Sequence, residues 1–314
     1  MTISYLTEYG NFLRDKFSGK KNVPTLAEST LNQVYDTNRC RLKSLNTFFS
    51  NLQRVYILGP GHLDSDTTRL LESISAKSRL AGLVSPIVGI QLTSFIPNIS
   101  VDIVAMTHVT LLMASLFSPS PPKVLIHGVY SKSPPIIKSS CAIRWYDPYL
   151  KGKNINVKNI FNSLNSQFDS YSPQLPIPRN VFFFAVFNIM RLGAKEIVLC
   201  GFDADTPTYY FDNDEQQRLL IAKSVLQVDP WISAWDGRNE RLRSIHGTVH
   251  RQLEFVSNLL IKNDPSAVGS SWRLFEMERA IGLLLKLAPL FNCNVMFNGE
   301  SKFLKRMKLR KLVP

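Results

Sequence analysis

The chain has 314 residues, of which 45% are hydrophobic, and a formal net charge of +13. That length and apolar content support a sizeable core in one large domain or two ordinary ones. They exclude a membrane-spanning helix, because the longest apolar run, Val181 to Met190, is far short of a bilayer and contains Asn188.

Residues 1–51 read as a polar, helical N-terminal extension. Arg54 to Leu58 is the first strand, followed by Gly59-Pro60-Gly61-His62. Asp64 to Leu80 is an amphipathic helix with Asp64 or Ser65 as its N-cap. Strands follow at Leu83–Ile90 and Val101–Met106, then Thr107-His108 and an apolar helix to Phe117. Lys123 to Ile126 is a fourth strand ending in His127-Gly128.

Lys151 to Pro178 is rich in Asn, Ser and Pro and reads as a long connection with one short helix. Val181 begins a helix that Gly193 stops, as a left-handed C-terminal residue does. Ile197 to Cys200 is a strand covered on both faces, opening into Gly201-Phe202-Asp203. Helices are expected at Glu215–Val225, at Asn239–Ile261 with a break near Gly247, and at Trp272–Leu287. Asn294–Phe297 is a short final strand, and 301–314 is a basic tail. This alternation predicts a doubly wound, Rossmann-like α/β fold over 52–300, with a mostly parallel sheet, helices on both faces and a helical lid over about 204–271.

Several predicted strands end in glycine or in polar residues of functional type, and a parallel sheet puts those ends along one edge. Gly59-Pro60-Gly61 between strand and helix suits a close backbone approach to phosphate, though it lacks the full dinucleotide fingerprint. Asp203-Ala204-Asp205 and Asp64-Ser65-Asp66 are Asp-x-Asp pairs of the kind that hold a divalent metal against a diphosphate, and Asp64 is equally placed to cap a helix. The phenols of Tyr209 and Tyr210 can bond a phosphate or protonate a leaving group. His246 and His250 share a helix face, but without an acidic partner they suit general-base work better than zinc.

The four cysteines, Cys40, Cys141, Cys200 and Cys293, have no metal-ligand spacing and read as reduced thiols, at least Cys200 and Cys293 being in the core. The positive charge points to an anionic partner. Lys302 to Leu312 mixes basic and apolar residues, which suits docking on an anionic membrane surface as well as it suits a solvated tail. No signature for nucleic-acid binding is present. The polar N-terminus lacks a secretory pattern, so a cytoplasmic location is expected, with peripheral attachment to the inner face of the membrane.

The block Leu192-Gly193-Ala194-Lys195-Glu196-Ile197 through Gly201-Phe202-Asp203, followed by Tyr209-Tyr210-Phe211-Asp212, resembles the bacterial sialyltransferases of glycosyltransferase family forty-two. Their core is shared with motility-accessory-factor and 6-hydroxymethylpterin pyrophosphokinase-like proteins. The resemblance extends loosely from Arg54 to Phe297. It implies inverting, metal-free transfer from CMP-sialic acid to a saccharide or lipid-linked acceptor, with no cofactor.

On that pattern Tyr209 supports the departing phosphate, and His246 or His250 takes the acceptor proton. Gly59 and Gly61 match the CMP-binding turn, with Pro60 where the family usually has Asn. Thr107 and His108 match a donor-sugar contact, and His62, Asn180, Asp203 and Tyr210 complete the expected donor set. Trp231 and Trp235 stand where a lid or acceptor site would lie. Two other readings stand beside it. One is an ATP-dependent pyrophosphokinase of the pterin type, using magnesium on Asp203 and Asp205. The other is a non-enzymatic module for anionic lipid or nucleic acid. A homo-oligomer is compatible with each.

Overall fold

The computed structural model describes residues 28–129, 140–146, 175–176, 180–202, 209–228, 245–262 and 274–312. The strands among them are β1 (Val55–Leu58), β2 (Ile87–Gly89), β3 (Ile103–Met106), β4 (Val124–Val129), β5 (Ser140–Tyr146), β6 (Leu175–Pro176), β7 (Glu196–Cys200), β8 (Asn294–Phe297) and β9 (Arg310–Lys311). They form one sheet in the order β6-β5-β4-β3-β2-β1-β7-β8-β9. Every neighbouring pair is parallel.

β1 and β7 lie side by side, yet β2 follows β1 in one direction and β8 follows β7 in the other. Crossovers leaving the two central strands in opposite directions put helices on both faces of the sheet. α2 (Ser65–Leu80) and α3 (Val109–Ala114) cover one face, where Leu71, Val109 and Leu112 cluster with Tyr56, Leu58, Val104 and Met106. α1 (Glu28–Asn51), α4 (Val181–Arg191) and α7 (Leu274–Leu287) cover the other, where Phe49, Phe183, Phe187 and Ile281 cluster with Val55, Ile57, Ile103 and Leu199. Successive residues of β1 therefore serve different cores, which is why it reads as an unbroken apolar run. The fold is doubly wound α/β.

α4 is buried at every position from Phe182 to Met190, as a helix apolar all round must be. It ends as the sequence predicts. Gly193 takes φ 99°, its N–H donates to the Met190 carbonyl at 3.0 Å, and the Ala194 N–H donates to Ile189 at 3.3 Å. These paired bonds satisfy the last carbonyls of the helix.

Several sequence expectations are corrected. α1 is the helix expected within residues 1–51, and it is part of the core: Leu42, Leu45 and Phe49 are buried, and Asn38 exchanges two hydrogen bonds with the Ala142 backbone, at 2.7 and 3.0 Å. β5 and β6 stand where nearby prolines and serines carry only the local signal of a loop; pairing of β5 with β4, and of β6 with β5, supplies the order. His127 does not stand at a strand end. β4 continues past it to Val129, and His127 is buried opposite Met106 and Ala142. Gly247 does not break α6 (Ile245–Ser257), so His246 lies within a helix rather than on a turn.

The C-terminal segment is also not a tail. α8 (Lys302–Arg306) and β9 fold back onto the sheet edge, burying Phe303, Leu304, Leu309 and Leu312. The apolar residues that membrane insertion would use thus face the core. Only the basic side chains remain outside, and two of them, Lys305 and Lys311, pair with Glu300. Of the stretch expected as a lid, α5 (Glu215–Leu226) places Ile221, Ala222 and Val225 in the same core as α3. Leu259, just beyond α6, joins that core too. Trp231 and Trp235 lie outside the described residues.

The amino edge of the sheet is tied by one buried carboxylate. Asp102 accepts the Ser85 N–H at 2.8 Å, the Lys123 ammonium at 3.1 Å and the Ser100 hydroxyl at 3.2 Å. Ala at this position leaves the buried Ser85 N–H without an acceptor. Asp102→Ala is therefore expected to cost about 2–3 kcal/mol of unfolding free energy. Urea denaturation measures this; a loss below about 1 kcal/mol would show that the network contributes little.

Candidate functional site at the sheet's switch point

In an open parallel sheet, ligands sit where the strand order reverses, outside the carboxyl ends of the two central strands. Here those ends are Leu58-Gly59-Pro60-Gly61 and Cys200-Gly201-Phe202. The two turns are in backbone contact. Gly59 N–H donates to the Cys200 carbonyl at 2.8 Å, and Gly61 N–H donates to Gly201 at 3.0 Å.

A side chain cannot enter this contact. A Cβ on Gly59 would stand 2.6 Å from the Gly201 oxygen and 2.8 Å from the Phe202 ring. A Cβ on Gly201 would stand 2.8 Å from the Gly59 oxygen and 3.2 Å from that of Gly61, at φ 69°. The glycines picked out from sequence thus sit together at the switch point, and their first role is to let β1 and β7 turn away back to back.

The sequence also expected phosphate at the start of α2, the helix after Gly61. The structure opposes that. Asp64 caps α2, its carboxylate accepting the Thr67 N–H at 2.7 Å, and Asp66 lies in the first turn. Two carboxylates neutralise the positive end of the helix dipole and repel an anion. The loop after β8 covers the same turn, with Asn298 donating to the Thr67 hydroxyl at 3.1 Å. Gly299 leaves room for only 2.9 Å between a Cβ and the Asp64 carboxylate.

The start of α4 differs. Asn180, a neutral residue, caps it by accepting the Phe183 N–H at 3.1 Å, and no acidic residue stands in its first turn. Phe182 packs on Phe202 with ring centroids 4.9 Å apart, and the Phe202 ring lies against Gly59. Asn180 therefore belongs to the crevice, on the side where a helix N-terminus keeps its affinity for negative charge.

Tyr209 and Tyr210 brace the crevice from within. Tyr209 bridges Gly61, is buried, and stacks on Phe211 at 5.3 Å. Tyr210 N–H donates to Pro60 at 3.1 Å, and its hydroxyl donates to the Leu92 carbonyl at 2.8 Å, past the end of β2. Burial, with the Asp214 charge added, pushes the Tyr210 phenol well above its ordinary range, so it stays a donor. Asp212, which accepts the Tyr209 N–H at 2.7 Å, is raised in the same way by burial. Burial, together with the nearby Asp64, also keeps Cys200 in the thiol form.

His62 is exposed directly after Gly61, and His108 is exposed at the end of β3 beside Thr107. His250 is elsewhere. Gln252, in the same turn of α6, donates to the Val228 carbonyl just beyond the C-terminus of α5. The Asp214 cap of α5 is at the crevice, and its 12 residues carry its other end about 18 Å away. The His246 side chain and Asp203 with Asp205 lie outside the described residues.

Gln91, directly after the strand that the sequence predicts to end at Ile90, takes φ 53°, a conformation that glutamine seldom adopts and that its sequence neighbours do not announce. The chain was compared with protein-family models, with curated proteins and with solved structures, and none matches it.

Gly201 and Gly82 both have left-handed backbones, but nothing lies within 4 Å of a Cβ on Gly82. Gly82→Ala is expected to cost about 1 kcal/mol, the left-handed penalty alone. Gly201→Ala is expected to cost about 2 kcal/mol more, from collision with the two carbonyls. Chemical denaturation of both variants checks this. Equal losses would mean that the crevice backbones yield without resistance.

Proposed function

We propose that this protein is a nucleotide-sugar-dependent glycosyltransferase that binds the nucleotide across the β1–β7 crevice. The observation that carries this reading is the back-to-back contact of Gly59-Pro60-Gly61 with Gly201 at the switch point. It marks the point where the strand order reverses, outside the carboxyl ends of β1 and β7, which is where open parallel sheets bind their ligands. The neutral start of α4, capped by Asn180, is where the phosphate is best accommodated.

The donor class rests on the resemblance to the sialyltransferases, and CMP-sialic acid is the donor it favours. Transfer proceeds by direct displacement at the anomeric carbon: the acceptor oxygen bonds to carbon as the bond to the CMP phosphate breaks, and the acceptor proton passes to a base. His62 and His108, exposed just after β1 and β3 at the carboxyl edge of the sheet, are taken as the candidate bases here, ahead of His250. Tyr209 and Tyr210 serve by holding the Gly59–Gly61 turn and the β2 end in place.

The first test is a thermal-shift screen of CMP, CDP, UDP, GDP and ATP, each with magnesium and with EDTA. CMP or CDP is expected to raise the melting temperature in EDTA. At a hundredfold excess over Kd, binding to the folded state alone is worth about 2.7 kcal/mol. Stabilisation by ATP with magnesium only would transfer the assignment to the pyrophosphokinase reading, and no response to any nucleotide would overturn both. The second test follows CMP release from CMP-sialic acid. His62→Ala or His108→Ala is expected to slow it about a hundredfold or more. The same loss in His250→Ala, with His62 and His108 variants unaffected, would return the base to α6.

A further inference from the structure

The loop after β2 contains three polar side chains that the fold leaves without partners. Gln91 is 5% exposed, Thr93 0% and Ser94 2%. Gln91 Oε1, Thr93 Oγ1 and Ser94 Oγ have no hydrogen-bond partner among the described residues. A buried polar atom left so costs free energy comparable to a lost hydrogen bond, and a cluster of three within four residues is uncommon. Thr93 has a packing role, since its hydroxyl lies over the bare Cα of Gly89 beside Val101. Gln91 and Ser94 have none of that kind.

Gln91 adds a second cost, its left-handed backbone at φ 53°. Strain of this sort persists where the surroundings fix it, and it collects at ligand sites. The surroundings do fix it. Ile90 N–H donates to Leu58 at 3.1 Å before the bend, and the Leu92 carbonyl is held by Tyr210 after it. The register of Leu58 with Gly89 carries Gln91 level with Pro60, in the glycine-lined turn. The Gln91 backbone therefore lies beside the turn after β1, between the Ile90 bond to Leu58 and the Leu92 bond to Tyr210.

We infer that Gln91, with Ser94, is a neutral hydrogen-bonding subsite that reads the ribose hydroxyls of the bound nucleotide. The inference rests on the nucleotide reading above and names the part of the ligand met at the β2 end. An amide oxygen and a serine hydroxyl can both accept from a vicinal diol, and no charge has to be desolvated to do so. A phosphate is unsuited to the Gln91 oxygen, because both would be acceptors.

The experiment compares binding of CMP, 2′-deoxy-CMP and 3′-deoxy-CMP by calorimetry, in the full-length protein and in Gln91→Leu. Leucine keeps the apolar volume and removes the orphaned oxygen, so the free variant should be as stable as the parent or more so. The parent is expected to bind one or both deoxy analogues about tenfold more weakly than CMP. Gln91→Leu is expected to lose about tenfold for CMP and to bind all three alike. If the variant discriminates as the parent does, or if the parent binds the three equally, the subsite is not where it is placed here. If the parent binds no nucleotide, the failure belongs to the nucleotide reading itself. Should Gln91→Leu not fold, Ser94→Ala under the same comparison decides the matter.

Discussion

The turn that leaves β1 and the turn that leaves β7 meet backbone to backbone. With a Cβ on either Gly59 or Gly201, a carbonyl of the facing turn would stand within 2.8 Å. The two central strands could then not end level with each other. Because they do, the chain can run outward from β1 in one direction and from β7 in the other, and the helices divide between the two faces of the sheet. Both hydrophobic cores follow from that division, since each strand residue faces whichever helices its side of the sheet received.

The same contact decides the chemistry available at the carboxyl edge. Two helices begin there, and they differ in electrical character. α2 begins under Asp64 and Asp66, closed over by Asn298 and Gly299. α4 begins under a neutral asparagine. A glycine turn ahead of a helix is often taken as a phosphate site, yet the carboxylates at α2 work against one, whereas the neutral start of α4 does not. The tyrosines, which from sequence alone look like reagents, are occupied in holding the turn, one by stacking and one through the Leu92 carbonyl.

The net charge of +13 suggests a basic surface seeking an anion. The C-terminal basic residues are outside, but Glu300 and Glu278 take up three of them, Lys305, Lys311 and Arg306. The leucines and phenylalanine between them belong to the core. A segment that reads as amphipathic can thus have its apolar side committed to its own fold. Exposed pairs of this kind contribute little stability and leave the orientation of α8 to its buried residues.

The sequence by itself determined the elements whose signals are local. Period and caps gave α2 with Asp64, α4 with Asn188 inside an otherwise apolar helix, Gly193 at its stop, and the central strands β1 and β7 as apolar runs. It also brought out the crevice glycines, because glycine after a strand is visible one residue at a time. What only the tertiary structure decided depends on partners distant along the chain. β5 is a strand because β4 lies beside it, and β9 exists because β8 offers an edge. α1 is core because Phe49 meets the sheet, and His127 is buried because β4 runs on past it. The place of Gln91 at the crevice follows from a left-handed turn that Tyr210, 118 positions later along the chain from Leu92, helps to hold. Local propensity carries no record of such contacts, since the energy that fixes them is released only when the sheet has closed.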